Sequence, residues 1–140
     1  TMTFEEKVAQ LQTTHNPGRD TPGYITRLGL QEYTTTECLH GILRANVTVF
    51  PQSISLAATF NPGLLYNISA AIGREARGLR NAFEQRRTPN NFSAPPPALT
   101  CFSPQINIVR DPRWGRAQET YGESPHLTGV LARAYVQGLQ

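Results

Sequence analysis

Residues 110–123 read RDPRWGRAQETYGE. Three arginines, three carboxylates, a tryptophan and a tyrosine share fourteen positions. Arginine and carboxylate side chains offer bidentate hydrogen bonds to hydroxyls or to each other, and an aromatic ring offers a flat apolar face. That set suits a sugar, whose hydroxyls take the polar bonds while its apolar face rests on a ring. It also suits an internal ion-pair network that locks a turn, and composition alone leaves both open. A second polar group stands at Glu37-Cys-Leu-His40-Gly41.

Other chemistries find less support. Glu37, Cys38 and His40 are neighbours, but His15 and His126 are isolated, so the several ligands a metal needs are not at hand. There is no G-x-S-x-G turn for a serine nucleophile and no glycine-rich phosphate loop. No metal and no cofactor is expected. Cys38 and Cys101 are the only cysteines, and two isolated cysteines read as buried free thiols rather than a bridge. Three N-x-S/T patterns, at Asn46, Asn67 and Asn91, favour a chain that passes through the secretory pathway and is glycosylated.

Something must position those groups. Thr3-Phe-Glu-Glu6 forms a capping box, and Phe4, Val8 and Leu11 share one face of a short helix. Thr34 to Cys38 reads as a strand, and Ser53 to Thr59 as strand or helical turn. Asn61-Pro62 starts a long helix, with Leu65, Ile68, Ile72, Ala76, Leu79 and Phe83 as its buried stripe. Four prolines in 86–98 mark a loop. LTCFSPQINIV at 99–109 reads as two short extended pieces around Pro104. Ser124-Pro125 opens a last helix with Leu127, Leu131, Ala134 and Tyr135 inward and Gly138 capping its end. Alternating strands and helices predict parallel βα units, in which chemistry sits where strands end and helices begin.

The chain has 140 residues, the length of one domain, with 39% hydrophobic residues and a net charge of +3. Twelve of its thirteen basic residues are arginine. Arg74, Arg77, Arg80, Arg86 and Arg87 gather on and after the long helix. Arginine over lysine favours fixed bidentate pairing, and no nucleic-acid-binding motif accompanies the cluster. No apolar run is long enough to cross a membrane. Neither nucleic acid nor membrane is an expected partner.

Four stretches together resemble a known family: TFEEKVAQL at 3–11, ECLHG at 37–41, FPQSISLAATFNPGLL at 50–65 with GREARGLRN at 73–81, and SPQINIVRDPRWGRAQETYGE at 103–123. The chain resembles the N-terminal part of the catalytic domain of glycoside hydrolase family 3, in its β-xylosidase-like branch. The resemblance implies an α/β fold, the first βα units of an incomplete (β/α)8 barrel of the triosephosphate-isomerase type, over residues 1–140. It implies an enzyme class that hydrolyses β-linked sugars from non-reducing ends with retention. Glu37 and Arg116 fall where the family binds the terminal sugar. His40 then orients the Glu37 segment. Asp111 and Glu119 are expected to pair with Arg110 or Arg113 and hold the loop, with Trp114 packed beneath it.

The chain departs from the family in two ways. Thr34-Thr35-Thr36 stands where the branch usually has a tryptophan, and Ser124 stands where aspartate usually follows YGE. The family's nucleophilic aspartate and acid/base carboxylate have no counterpart in these residues, so no catalytic residue is expected and the rest of the barrel is the expected partner. The chain alone is expected to be inactive. The alternative is a non-catalytic sugar-binding or regulatory remnant of the same fold.

Overall fold

The computed structural model describes residues 1–11, 25–30, 35–86 and 97–140. They divide into two units, residues 1–34 and 35–140.

In the first unit, helix α1 (Phe4–Ala9) has the capping box its sequence predicts. The Glu6 amide donates to Thr3 Oγ1 at 3.2 Å, and its carboxylate accepts from the Thr3 amide at 2.7 Å and from Arg27, which grips both oxygens. The Arg27 hydrogen bonds hold the Glu6 carboxyl below its ordinary range. Arg27 also reaches the Thr1 carbonyl, so one guanidinium ties the 3₁₀ turn at Thr26–Leu28 to both ends of the helix start.

The second unit carries the candidate site. It begins with strand β1 (Thr35–Thr36), which pairs in parallel with β2 (Thr100–Cys101), Thr36 opposite Cys101. Between them lie α2 (Ser53–Ala57) and α3 (Pro62–Arg86), and after β2 comes α4 (Pro125–Leu139). The parallel pair with a helical crossover is the βα organisation the sequence predicts. Ser53–Thr59, left open between strand and turn, is helical through Ala57.

The two long helices form the bulk of the core. Asn61 caps α3 through its side-chain oxygen, which accepts from Leu64 N–H at 3.0 Å. Leu65, Ile72 and Ala76 are buried along the predicted stripe, with Ile68 and Leu79 packed beside them. Ser124 caps α4 by accepting from Leu127 N–H. Leu131, Ala134 and Tyr135 face inward as expected.

Gly138 is not a cap. It lies inside α4, where a β-carbon would come within 2.3 Å of the Tyr66 carbonyl oxygen on α3 and 2.1 Å of Ser69 Oγ. The residue is glycine because the helix backbones meet there. The cysteines also correct the sequence reading. Cys38 and Cys101 are joined in a disulfide, their Cα atoms 5.6 Å apart. Parallel pairing of Thr36 with Cys101 brings the two together, a proximity that 63 residues of separation conceal. The bridge sits in the apolar cluster of Ile42, Ile72, Ala76 and Tyr135.

Candidate functional site

Glu37 follows β1 directly, at the strand end where parallel folds place chemistry. Its side chain turns back on its own backbone. Oε1 accepts from Cys38 N–H at 2.8 Å and Leu39 N–H at 2.7 Å. The Ser103 hydroxyl, arriving from beyond β2, donates to the same oxygen at 2.7 Å. Ser103 Oγ in turn accepts from Cys38 N–H at 3.3 Å. Three donors therefore converge on Oε1, while among the described residues no hydrogen bond to Oε2 is formed.

The turn that follows is fixed largely by backbone. Gly41 has a φ of +123°, a region disfavoured for side-chain-bearing residues. A β-carbon there would also lie 2.3 Å from the Thr48 carbonyl oxygen. Leu43 N–H donates to the Glu37 carbonyl and Phe50 N–H to the His40 carbonyl at 2.7 Å. His40, half-buried, thus enters the turn through its main chain. Glu75 on α3 accepts from both the amide and the hydroxyl of Thr48. Beneath, the buried Tyr135 hydroxyl on α4 donates to the Cys38 carbonyl. Burial raises the Tyr135 hydroxyl well above its ordinary pKa, so it is a donor at any physiological pH.

The charged motif forms a loop closed by the Val109 N–H bond to the Gly122 carbonyl at 3.0 Å. Arg113 makes a bidentate pair with Asp111, Nε to Oδ1 at 3.0 Å and Nη2 to Oδ2 at 2.6 Å. Asp111 is held below the ordinary aspartate range by those bonds and by the Arg113 amide. This is one of the pairings the sequence predicts. Glu119 differs: it binds Arg116, Nε to Oε2 at 2.9 Å and Nη2 to Oε2 at 2.6 Å, not Arg110 or Arg113. A 3₁₀ turn at Ala117–Glu119 puts positions 116 and 119 on one side, within reach of each other. The Arg116 pKa is raised by Glu119 first and, further off, by the negative charge of Glu37.

With Nε and one Nη2 proton committed to Glu119, Arg116 keeps three N–H donors for a ligand. Trp114 is half-buried, and with Ile108, Arg110, Asp111 and Arg113 it lines a surface pocket of about 420 Å³. Asn46, in a left-handed turn, and Asn67 on α3 are exposed; Asn91 lies outside the described residues. No cluster of three potential metal ligands occurs among the described residues. Ser103 and the disulfide were missed by sequence reasoning; the signal for both was the register of β1 on β2, which motifs do not carry.

Residues 98–140 match the glycosyl hydrolase family 3 N-terminal domain. The chain is 42% identical over 99% of its length to probable beta-D-xylosidase 7 of Arabidopsis thaliana. It is 40% identical, again over 99%, to xylan 1,4-beta-xylosidase of Xylanibacter ruminicola. The chain belongs to glycoside hydrolase family 3. It spans 17% and 15% of those two relatives.

Solved structures are similar as well. An exo-beta-xylosidase of glycoside hydrolase family 3, XlnD, in complex with a xylobiose aziridine activity-based probe, superposes with a TM-score of 0.72 at 32% identity, covering 99% of this chain and 17% of that one. A beta-glucosidase of Erythrobacter marinus, EmGH1, superposes at 0.63 with 39% identity, covering 77% of this chain and 12% of that one. The mixed α/β arrangement seen here is therefore a family 3 arrangement, and the resemblance read from the four motifs holds along the chain.

Proposed function

We propose that this chain supplies part of the sugar-binding wall of a retaining, exo-acting β-glycosidase of the β-xylosidase type, built as the first βα units of a (β/α)8 barrel. Glu37 and Arg116 take hydroxyls of the terminal sugar. Asp111, Arg113, Trp114, Glu119 and His40 hold those two in place. The carrying observation is the state of Glu37: Oε1 is satisfied by three protein donors, and Oε2 remains to accept from a ligand. Retention needs two carboxylates about 5–5.5 Å apart, and in this reading the nucleophile and acid/base stand outside these residues.

A disulfide and two exposed sequons support passage through an oxidising, glycosylating compartment.

The test exchanges the matched segment of the Xylanibacter ruminicola xylosidase for these 140 residues. The hybrid is expected to hydrolyse an aryl β-xyloside. Glu37→Ala or Arg116→Ala is expected to lower kcat/KM by about 10–100-fold each, the worth of a charge-assisted hydrogen bond. A hybrid that melts cooperatively yet is inactive, or one indifferent to both substitutions, would overturn the reading.

A further inference from the structure

We infer that Ser103 is a positioning residue: its hydroxyl fixes the orientation of the Glu37 carboxylate, so that one oxygen faces the sugar. The inference rests on the reading of Glu37 as a sugar-binding carboxylate and adds a residue to that site.

A glutamate at the end of a strand has three side-chain torsions, and most of their combinations point the carboxylate elsewhere. Here two donors come from Glu37's own neighbours, the amides of Cys38 and Leu39. Those two alone curl the side chain locally and leave the carboxylate plane free to turn about the Cγ–Cδ bond. The third donor comes from 66 residues away in sequence. Ser103 is half-buried and reaches Oε1 at 2.7 Å while accepting, at 3.3 Å, from the same Cys38 N–H that serves Oε1. Hydroxyl, amide and carboxylate oxygen thus close a small triangle, and the hydroxyl proton is directed at Oε1. Oε1 is pinned, and Oε2 must point away from the three donors.

The fold has fastened this contact in two further ways. Thr36 pairs with Cys101 in the sheet, and the disulfide joins the residue after Glu37 to the residue two before Ser103. Phe102 N–H also donates to the Thr36 carbonyl at 3.2 Å. The segments bearing Glu37 and Ser103 cannot drift apart while these hold. A charge-assisted bond made before the ligand arrives spares the ordering that a free carboxylate would undergo on binding.

The experiment compares Ser103→Thr and Ser103→Val, side chains of one shape that differ in the hydroxyl, with Ser103→Ala as a smaller variant that cannot overpack. They are made in the hybrid xylosidase, alone and together with Glu37→Ala. Expected is near-native kcat/KM for Ser103→Thr and a loss of about 10-fold or more for Ser103→Val and Ser103→Ala, the worth of one hydrogen bond to a charged group. The loss should fall mainly on KM and should vanish when Glu37 is already alanine. Equal activity of the threonine and valine variants, with Glu37→Ala still impaired, overturns the positioning role and leaves the sugar reading standing. A loss that persists undiminished in the Glu37→Ala background also overturns it, since Ser103 would then act on the fold. If Glu37→Ala has no effect, the underlying sugar reading falls. Should the hybrid not assemble, the same variants are read by xylobiose titration of the 140-residue chain, with the same pattern expected in Kd and absence of binding counting against both.

Discussion

At the scale of the residue, the site turns on one methylene. Glu37 reaches back to Cys38 and Leu39 and across to Ser103 with one oxygen. Aspartate is shorter and can keep the near amide while drawing its free oxygen away from the ligand side. The methylene's worth of space released is part of what a hydroxymethyl group, which glucose has and xylose lacks, would need. In the hybrid enzyme, Glu37→Asp is therefore expected to raise the ratio of kcat/KM for aryl β-glucoside over aryl β-xyloside. A methylene-sized difference in a pocket is worth about 10–200-fold. An unchanged or lowered ratio would show that Glu37 does not gate that space. Glu37 and Arg116 were singled out by the family resemblance, since residue types alone left a sugar site and an internal ion-pair network both open. Partners within the charged motif were less legible. Asp111 pairs with Arg113 as read, two positions away; Glu119 pairs with Arg116 because a 3₁₀ turn, invisible to composition, sets the spacing.

At the scale of the element, helices were read well and contacts between them poorly. Periodic apolar residues and Asn or Ser caps define α3 and α4, since both signals are local. The strands are two residues each and rest on pairing, which is not local. The disulfide and Gly138 failed for that same reason. Two glycines of α4 make the difference measurable. At Gly129 a β-carbon would meet nothing within 4 Å, while at Gly138 it would strike the α3 backbone. Gly129→Ala is expected to stabilise by about 0.8–1 kcal/mol, the ordinary helix preference for alanine. Gly138→Ala gains the same preference but overpacks the crossing, at a cost of about 1–3 kcal/mol. The serine can rotate; the carbonyl of Tyr66 cannot, so the clash outweighs the gain. Thermal melts of the two variants should move in opposite directions, and movement in the same direction would mean that α3 and α4 do not cross closely at Gly138.

At the scale of the molecule, the 35–140 unit has a filled helical core and several large apolar side chains left exposed. Its helices bury Leu65, Ile72, Leu131 and Tyr135 almost completely, whereas Leu43, Val49, Phe60, Phe102 and Ile106 are each more than half exposed. Phe102 and Ile106 flank the Ser103 segment, beside a parallel sheet of only two strands among the described residues. Parallel sheets occur almost always with both faces covered and with more strands than two. Open strand edges and clustered apolar side chains pair with whatever is available. In the proposed barrel, that cover is the next βα units. In the 140-residue chain alone, the same surface is left to other copies. The chain by itself is therefore expected to self-associate, with a mass by light scattering that rises with concentration, and to give no turnover of aryl β-xyloside. The two outcomes are linked in the proposed reading, because the rest of the barrel would supply both the missing cover and the nucleophile and acid/base. A monomer at every concentration with a sharp thermal transition would show that this unit closes its own core. Glu37-dependent turnover by that monomer would remove the need for the proposed barrel.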